Sequence, residues 1–217
     1  MSEINQIPYA AYKVRQDLKP KGLDGLSEKL IDQHWKLYEG YVTNTNLLNK
    51  LVWDIGDANE ELNKAEHSEI QRRLGFEYNG MVLHEYYFSA LGKGGTPSPS
   101  SPLMSKLNED FKGFERWKNQ FIQIGKFRGV GWVVLGYDPF LKRLNNFWIT
   151  DHEVGHVAGF VPILVMDVWE HAYVLDFGSL VAAGVGRSVY MDAYFKNLNW
   201  SVVEERLKNA LTLTSNR

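Results

Sequence analysis

The hydrophobic period changes on either side of one loop, and this constrains the fold more than any other feature. Before Gly92–Pro102 (GKGGTPSPSSP) apolar residues recur three and four apart. From Ser27 they run through Leu30, Ile31, Trp35, Leu37, Tyr38, Tyr41 and Val42 to Leu47, Leu48 and Leu51, which predicts a long helix. Ser27 suits its N-cap, and Glu28 suits the positive end of the helix dipole. The polar stretch Asp57–Ser68 breaks the pattern, and a second helix is expected over about Glu69–Leu91. Two long helices with a polar join predict an antiparallel hairpin. Beyond the loop, helices are expected near Leu103–Asp110 and Phe111–Phe127. The texture then turns β-branched and aromatic. Val130–Tyr137 and Arg143–Thr150, joined by a Tyr137-Asp138-Pro139 turn, read as a hairpin, and Phe160–Val168 reads as a third, buried strand. Helical patterns resume from about Glu170, with Gly178, Gly184 and Gly186 as interruptions. The expected class is α+β: an N-terminal α-hairpin domain over residues 1–95, a linker at 92–102, and a C-terminal α/β domain over 103–217 with a three-stranded antiparallel sheet.

Composition excludes several chemistries. The 217 residues contain no cysteine, which removes disulfides, thiolate metal sites and cysteine nucleophiles. A net charge of −2 gives no sign of a nucleic-acid or anionic-membrane partner. No apolar run reaches the roughly 18 residues of a membrane span, and no secretory leader pattern opens the chain. The expected location is the cytoplasm.

Any metal must therefore bind histidine nitrogen and carboxylate oxygen. The six histidines are His34, His67, His84, His152, His156 and His171. Asp167 closes the apolar run VPILVM and stands four residues before His171. Read alone, it fits a helix N-cap or an ion pair, because a carboxylate there is costly unless something pairs with it. His34 shares a helix face with Tyr38 and Tyr41, and His84 is followed by Tyr86, Tyr87 and Phe88. Each of the two alone fits a hydrogen-bonded core histidine. Together, three histidines and one aspartate make a sulfur-free set suited to iron, manganese or zinc.

A competing pattern, H-E-x-x-H, lies at His152-Glu153-Val154-Gly155-His156. On a helix it would make a zinc-protease site with Glu153 as general base. Against it, Pro162 occupies the third ligand position of the longer pattern, the preceding residues read as a strand, and Gly155, Gly159 and Pro162 disfavour a long helix.

Asp167-Val168-Trp169-Glu170-His171-Ala172-Tyr173 resembles the D-x-W-E-H-A-Y motif of the iron/manganese superoxide dismutases. Ile7-Pro8-Tyr9, His34 to Val42, His84 to Phe88, Gly131-Trp132-Val133-Val134-Leu135 and Asn199-Trp200 resemble further motifs of that family, in family order along almost the whole chain. The resemblance implies a superoxide dismutase with one iron or manganese ion per subunit, held by His34, His84, Asp167 and His171. It implies Tyr41 as the gateway of the substrate channel, Trp132 and Trp169 as walls, and Glu170 reaching across a homodimer interface. A tetramer is the variant assembly. Where some members carry a redox-tuning Gln on the second helix, this chain has Gly80; His152 stands where others supply the tuning residue from the hairpin. His34 and Tyr41 are one residue closer than the family norm, which would put Gln33 at the ligand position unless the first helix is regular throughout. Tyr38 stands where a channel histidine is usual and is a candidate for proton relay. Val174 replaces a Tyr, Val134 a Trp and Leu83 an Asn, and Gly178–Gly186 is longer than usual. These departures leave open a metal-binding paralogue with little dismutase activity.

Overall fold

A computed structural model describes residues 10–57 and 64–213. The Ile7-Pro8-Tyr9 motif and the middle of the polar join lie outside these residues. Among the described residues the chain forms seven α-helices and one three-stranded sheet: α1 (Glu28–Asp57), α2 (Lys64–Ser89), α3 (Pro102–Phe111), α4 (Phe114–Gly125), β1 (Gly131–Asp138), β2 (Arg143–Thr150), β3 (Val161–Asp167), α5 (Val174–Val181), α6 (Gly186–Lys196) and α7 (Trp200–Leu211).

Ser27 caps α1 as expected, its Oγ accepting from the Leu30 amide at 3.1 Å. The buried residues Leu30, Ile31, His34, Trp35, Tyr38, Val42 and Thr45 form one stripe facing α2. α1 is α-helical throughout, with no bulge between His34 and Tyr41. Helix α2 starts five residues before the expected Glu69. Its first turns are polar and solvated, so they carry no apolar period. Ser101 caps α3 through the Met104 amide at 3.2 Å, with Pro102 in the first turn. Lys112 (φ 62°) and Gly113 (φ 128°) delay α4 to Phe114. Gly178 sits inside α5 rather than interrupting it; the break comes at Gly184 (φ 73°).

The sheet is antiparallel in the order β2-β1-β3. β1 is central and buried along its whole length. Its register places Trp132 between Ile149 on β2 and Asp167 on β3. The register shifts at Leu135/Gly136, which leaves Ile163 of β3 outside the pairing. β3 runs antiparallel to β1 and ends at Asp167, beside the two helices of the hairpin. The end of α2 is also tied to the C-terminal helices: the Gly92 amide donates to the Asn197 carbonyl at 2.8 Å, and the Asn199 amide to the Ala90 carbonyl at 2.8 Å.

Candidate metal centre

Four elements converge. His34 comes from α1, His84 from α2, Asp167 from the end of β3, and His171 from the 3₁₀ turn Glu170–Ala172 that follows. One ligand atom from each lies within 4.8 Å of the others. Asp167 is the hub. Its Oδ1 accepts from the Trp169 amide at 2.8 Å. That turns Oδ2 toward the rings, 3.0 Å from His34 Nε2, 3.1 Å from His171 Nε2 and 3.7 Å from His84 Nε2. His34, His84 and Asp167 are fully buried, while the His171 side chain keeps 22% of its surface. So the regular α1 points His34, not Gln33, at the cluster.

The electrostatics suit a cation. Burial pushes His34 below its usual range and His84 well below it, so both rings are neutral and offer lone pairs. Burial would raise the Asp167 carboxyl, but the His171 and His34 rings outweigh it and hold the group ionised. The His84 Nδ1–H donates to the Gly80 carbonyl at 2.6 Å. Its Nε2 is therefore a bare acceptor, and it is buried without a partner. A cation placed between that lone pair, the carboxylate and the two further imidazoles would satisfy it. Three nitrogens and one oxygen suit iron or manganese, so the residues fit the implied ion.

The wall behind the cluster is aromatic. Trp132 lies edge-on to His84 at 4.9 Å between centroids, and Trp169 stacks on His171 at 5.8 Å. Trp132 Nε1 donates to His152 Nδ1 at 2.9 Å, and His152 Nε2 lies 2.7 Å from the Tyr41 hydroxyl. An indole N–H can only donate, so the proton of neutral His152 is on Nε2 and is given to Tyr41. Burial lowers His152 to about 4 and raises the Tyr41 phenol, with Asp167 adding to that rise. Both are neutral at pH 7.

The two tyrosines part company. Tyr41 packs on the His84 ring at 5.1 Å. Tyr38 is buried inside the hairpin, donating to Glu85 at 2.8 Å and accepting from the Arg15 amide at 3.0 Å. Glu170 is exposed beside the cluster. The H-E-x-x-H reading fails. None of its residues is helical, Gly155 has φ 108°, Glu153 pairs with Arg72, and His156 is exposed and bonds the His152 carbonyl at 3.0 Å. The two histidines share no helix face, and among the described residues they join no potential metal group.

Sequence reasoning missed three supports. The Tyr190 hydroxyl donates to the Asp167 carbonyl at 2.7 Å, and Asn79 Nδ2 donates to the His152 carbonyl at 2.7 Å. The third is steric: a Cβ on Gly80 would stand 2.6 Å from Cδ1 of the Tyr41 ring. Tyr41 fills the space that a side chain at position 80 would need. No local pattern in the sequence marks any of these contacts.

The model of the C-terminal domain of iron/manganese superoxide dismutases matches residues 99–206. The chain is 35% identical to the superoxide dismutase [Fe] of Aquifex aeolicus, over 91% of each chain. It is 36% identical to the superoxide dismutase [Fe] of Cupriavidus metallidurans, over 89% of this chain and 94% of that one. It is 33% identical to the superoxide dismutase [Mn/Fe] of Aeropyrum pernix, over 88% of this chain and 89% of that one. The chain belongs to the iron/manganese superoxide dismutase family.

Two outcomes follow from this geometry. Gly80→Ala forces the Tyr41 ring off His84; we expect a destabilisation of about 1–3 kcal/mol from overpacking and a lost Tyr41–His152 bond, read by denaturant unfolding and by the His152 imidazole NMR signals. Unchanged stability and signals would show that the space is not filled. The second outcome concerns pH. His34, His84 and His152 are neutral when folded, whereas the unfolded chain takes up protons near pH 6.5. The unfolded state then binds more protons, so the metal-free protein loses stability as pH falls below about 6.5, by roughly 1.4 kcal/mol per pH unit for each such ring. For His152 the loss continues down to about pH 4. His152→Gln should remove one ring's share of that slope in unfolding titrations between pH 4.5 and 6.5; an unaltered slope refutes the assignment.

Proposed function

We propose that this chain converts superoxide to dioxygen and hydrogen peroxide at a single iron or manganese ion held by His34, His84, Asp167 and His171. The observation that carries the reading is the buried, unpartnered Nε2 of His84, which faces Asp167 and two further imidazoles within a fold of this family. When bound, the ion supplies one-electron redox chemistry, taking an electron from one superoxide and returning it to another. The reaction consumes two protons for every two superoxides.

The protein's own residues manage those protons. Trp132 fixes the tautomer of His152, and His152 spends its one N–H on the Tyr41 oxygen. The hydroxyl proton of Tyr41 is then free to point elsewhere. Burial keeps that phenol protonated, so Tyr41 holds a transferable proton beside the centre. His152 also tunes the site through the same bond. Trp132 and Trp169 keep bulk water from the ligands. Tyr38, committed to Glu85 and Arg15, takes no part in this relay.

A homodimer completes the proposal, with Glu170 reaching across the interface toward His171. Glu170 is exposed, and in the segment that follows it Val174, Leu175, Leu180, Val181, Val185 and Val189 are exposed too. Exposed apolar side chains following an exposed acid and a part-exposed histidine of the cluster suit a subunit contact. Light scattering should give twice the chain mass for the native protein, with Leu175→Glu moving it toward monomer. A monomeric native protein would end this part of the proposal.

For the reaction, metal content is measured together with superoxide decay. The native protein should hold close to one iron or manganese per chain and accelerate the decay. His171→Ala should lose more than the roughly 10–100-fold in metal affinity that removing a residue behind a ligand costs, and activity should fall with it. Metal retained without acceleration would make the chain a metal-binding relative instead. Full occupancy in His171→Ala would overturn the ligand set.

A further inference from the structure

β3 is an edge strand, and the carbonyls of Ile163, Val165 and Asp167 point away from β1. Each is taken by one side chain from the C-terminal helices. Arg206 Nη1 reaches Ile163 at 3.1 Å, the Tyr194 hydroxyl reaches Val165 at 2.8 Å, and the Tyr190 hydroxyl reaches Asp167 at 2.7 Å. The strand that ends in the ligand Asp167 is thus held along its free edge by side chains rather than by another strand.

Arg206 does more than close that edge. Its Nη2 donates to the Tyr86 carbonyl at 2.9 Å and to Ser89 Oγ at 2.6 Å, both at the C-terminal end of α2. The Ala90 amide turns to the Tyr87 carbonyl instead, so Arg206 satisfies a carbonyl orphaned by the end of the helix. α2 has no basic residue in its last turn. Arg206 supplies the missing cation at the negative end of the dipole, from a different helix. The guanidinium lies 4.5 Å over the Tyr86 ring, and among the described residues no carboxylate pairs with it. Its hydrogen bonds all go to α2 and β3. His84 lies two residues before Tyr86, and Asp167 four residues after Ile163.

We infer that Arg206 is a positioning residue for the metal centre: its planar fork locks the end of α2 to β3 and so sets the distance between His84 and Asp167. The inference rests on the ligand assignment proposed above. Lysine cannot reproduce it, because a single ammonium cannot hold both anchors in one plane.

The test compares Arg206→Leu, Arg206→Lys and Leu207→Ala, the last a buried neighbour on α7 that makes none of these bonds. Metal-loaded proteins are mixed with excess chelator, and metal release is timed; the visible spectrum of the oxidised protein is recorded alongside. Arg206→Leu should release metal about 10–100-fold faster with a shifted spectrum, and Arg206→Lys should fall between it and the native protein. Leu207→Ala should lose unfolding stability while keeping the native release rate and spectrum. Native release and spectrum in Arg206→Leu overturn the inference, as does equal acceleration by Leu207→Ala, which would reduce Arg206 to a general structural role. If Arg206→Leu does not fold, Arg206→Lys decides by the same criteria. A native protein that takes up no metal fails at the ligand assignment itself and carries this inference down with it.

Discussion

The Asp167 carboxylate has no exposed surface, yet it ends a strand made of the most apolar residues in the chain. An ion in such a place costs several kcal/mol unless its lone pairs are met. The Trp169 amide meets one oxygen, and the histidines of α1, α2 and the following turn surround the other. Much of the architecture serves that arrangement. The long α1–α2 hairpin brings two imidazoles from distant sequence to one point. The register of β1 sets Trp132 directly across from Asp167. The C-terminal helices hold the carbonyl side of the same residue through Tyr190.

The region behind the His34, His84, Asp167 and His171 cluster is a contest for one small volume. Gly80, Tyr41, His152 and Trp132 share it, and each limits the others. Because position 80 has no side chain, the Tyr41 ring can lie against α2. Because Trp132 can only donate, His152 can only present its other nitrogen as a donor. The direction of that hydrogen bond is decided by an indole on β1, although neither Tyr41 nor His152 is on that strand.

Much of this was legible in the sequence, for reasons that differ from element to element. Ser27, Ser101 and Pro102 mark helix starts because capping is a local chemistry. The three strands show in the β-branched and aromatic runs, to within a residue or two. The residue types of the cluster show because cysteine is absent and the D-x-W-E-H-A-Y run is distinctive. The start of α2 was hidden because its polar first turns bury little. Gly178 looked like a breaker but is accommodated within α5. His152 to His156 matched a helical motif in letters, while Asp151 (φ 53°), Gly155 and Gly159 (φ 83°) bend the backbone into turns. Spacing argues only for the conformation it assumes. The Gly80–Tyr41 contact and the bonds of Tyr190, Tyr194 and Arg206 to β3 join residues far apart in sequence, and no local pattern encodes them.

His34 and Asp167 meet across 133 residues of chain. In a protein without cysteine, an ion bridging them acts as a removable cross-link over a loop far longer than most disulfides close. The entropy of closing such a loop grows only slowly with its length, about 0.6 kcal/mol per doubling, so the span is affordable; its consequence is one of timing. During synthesis the hairpin can form with two imidazoles facing each other and no anion between them. The charge that makes the place attractive to a cation arrives only with β3, when more than three-quarters of the chain has been made. The cluster is therefore complete only late in synthesis, and a chain cut short before Asp167 keeps two of its four residues but lacks the carboxylate around which they assemble.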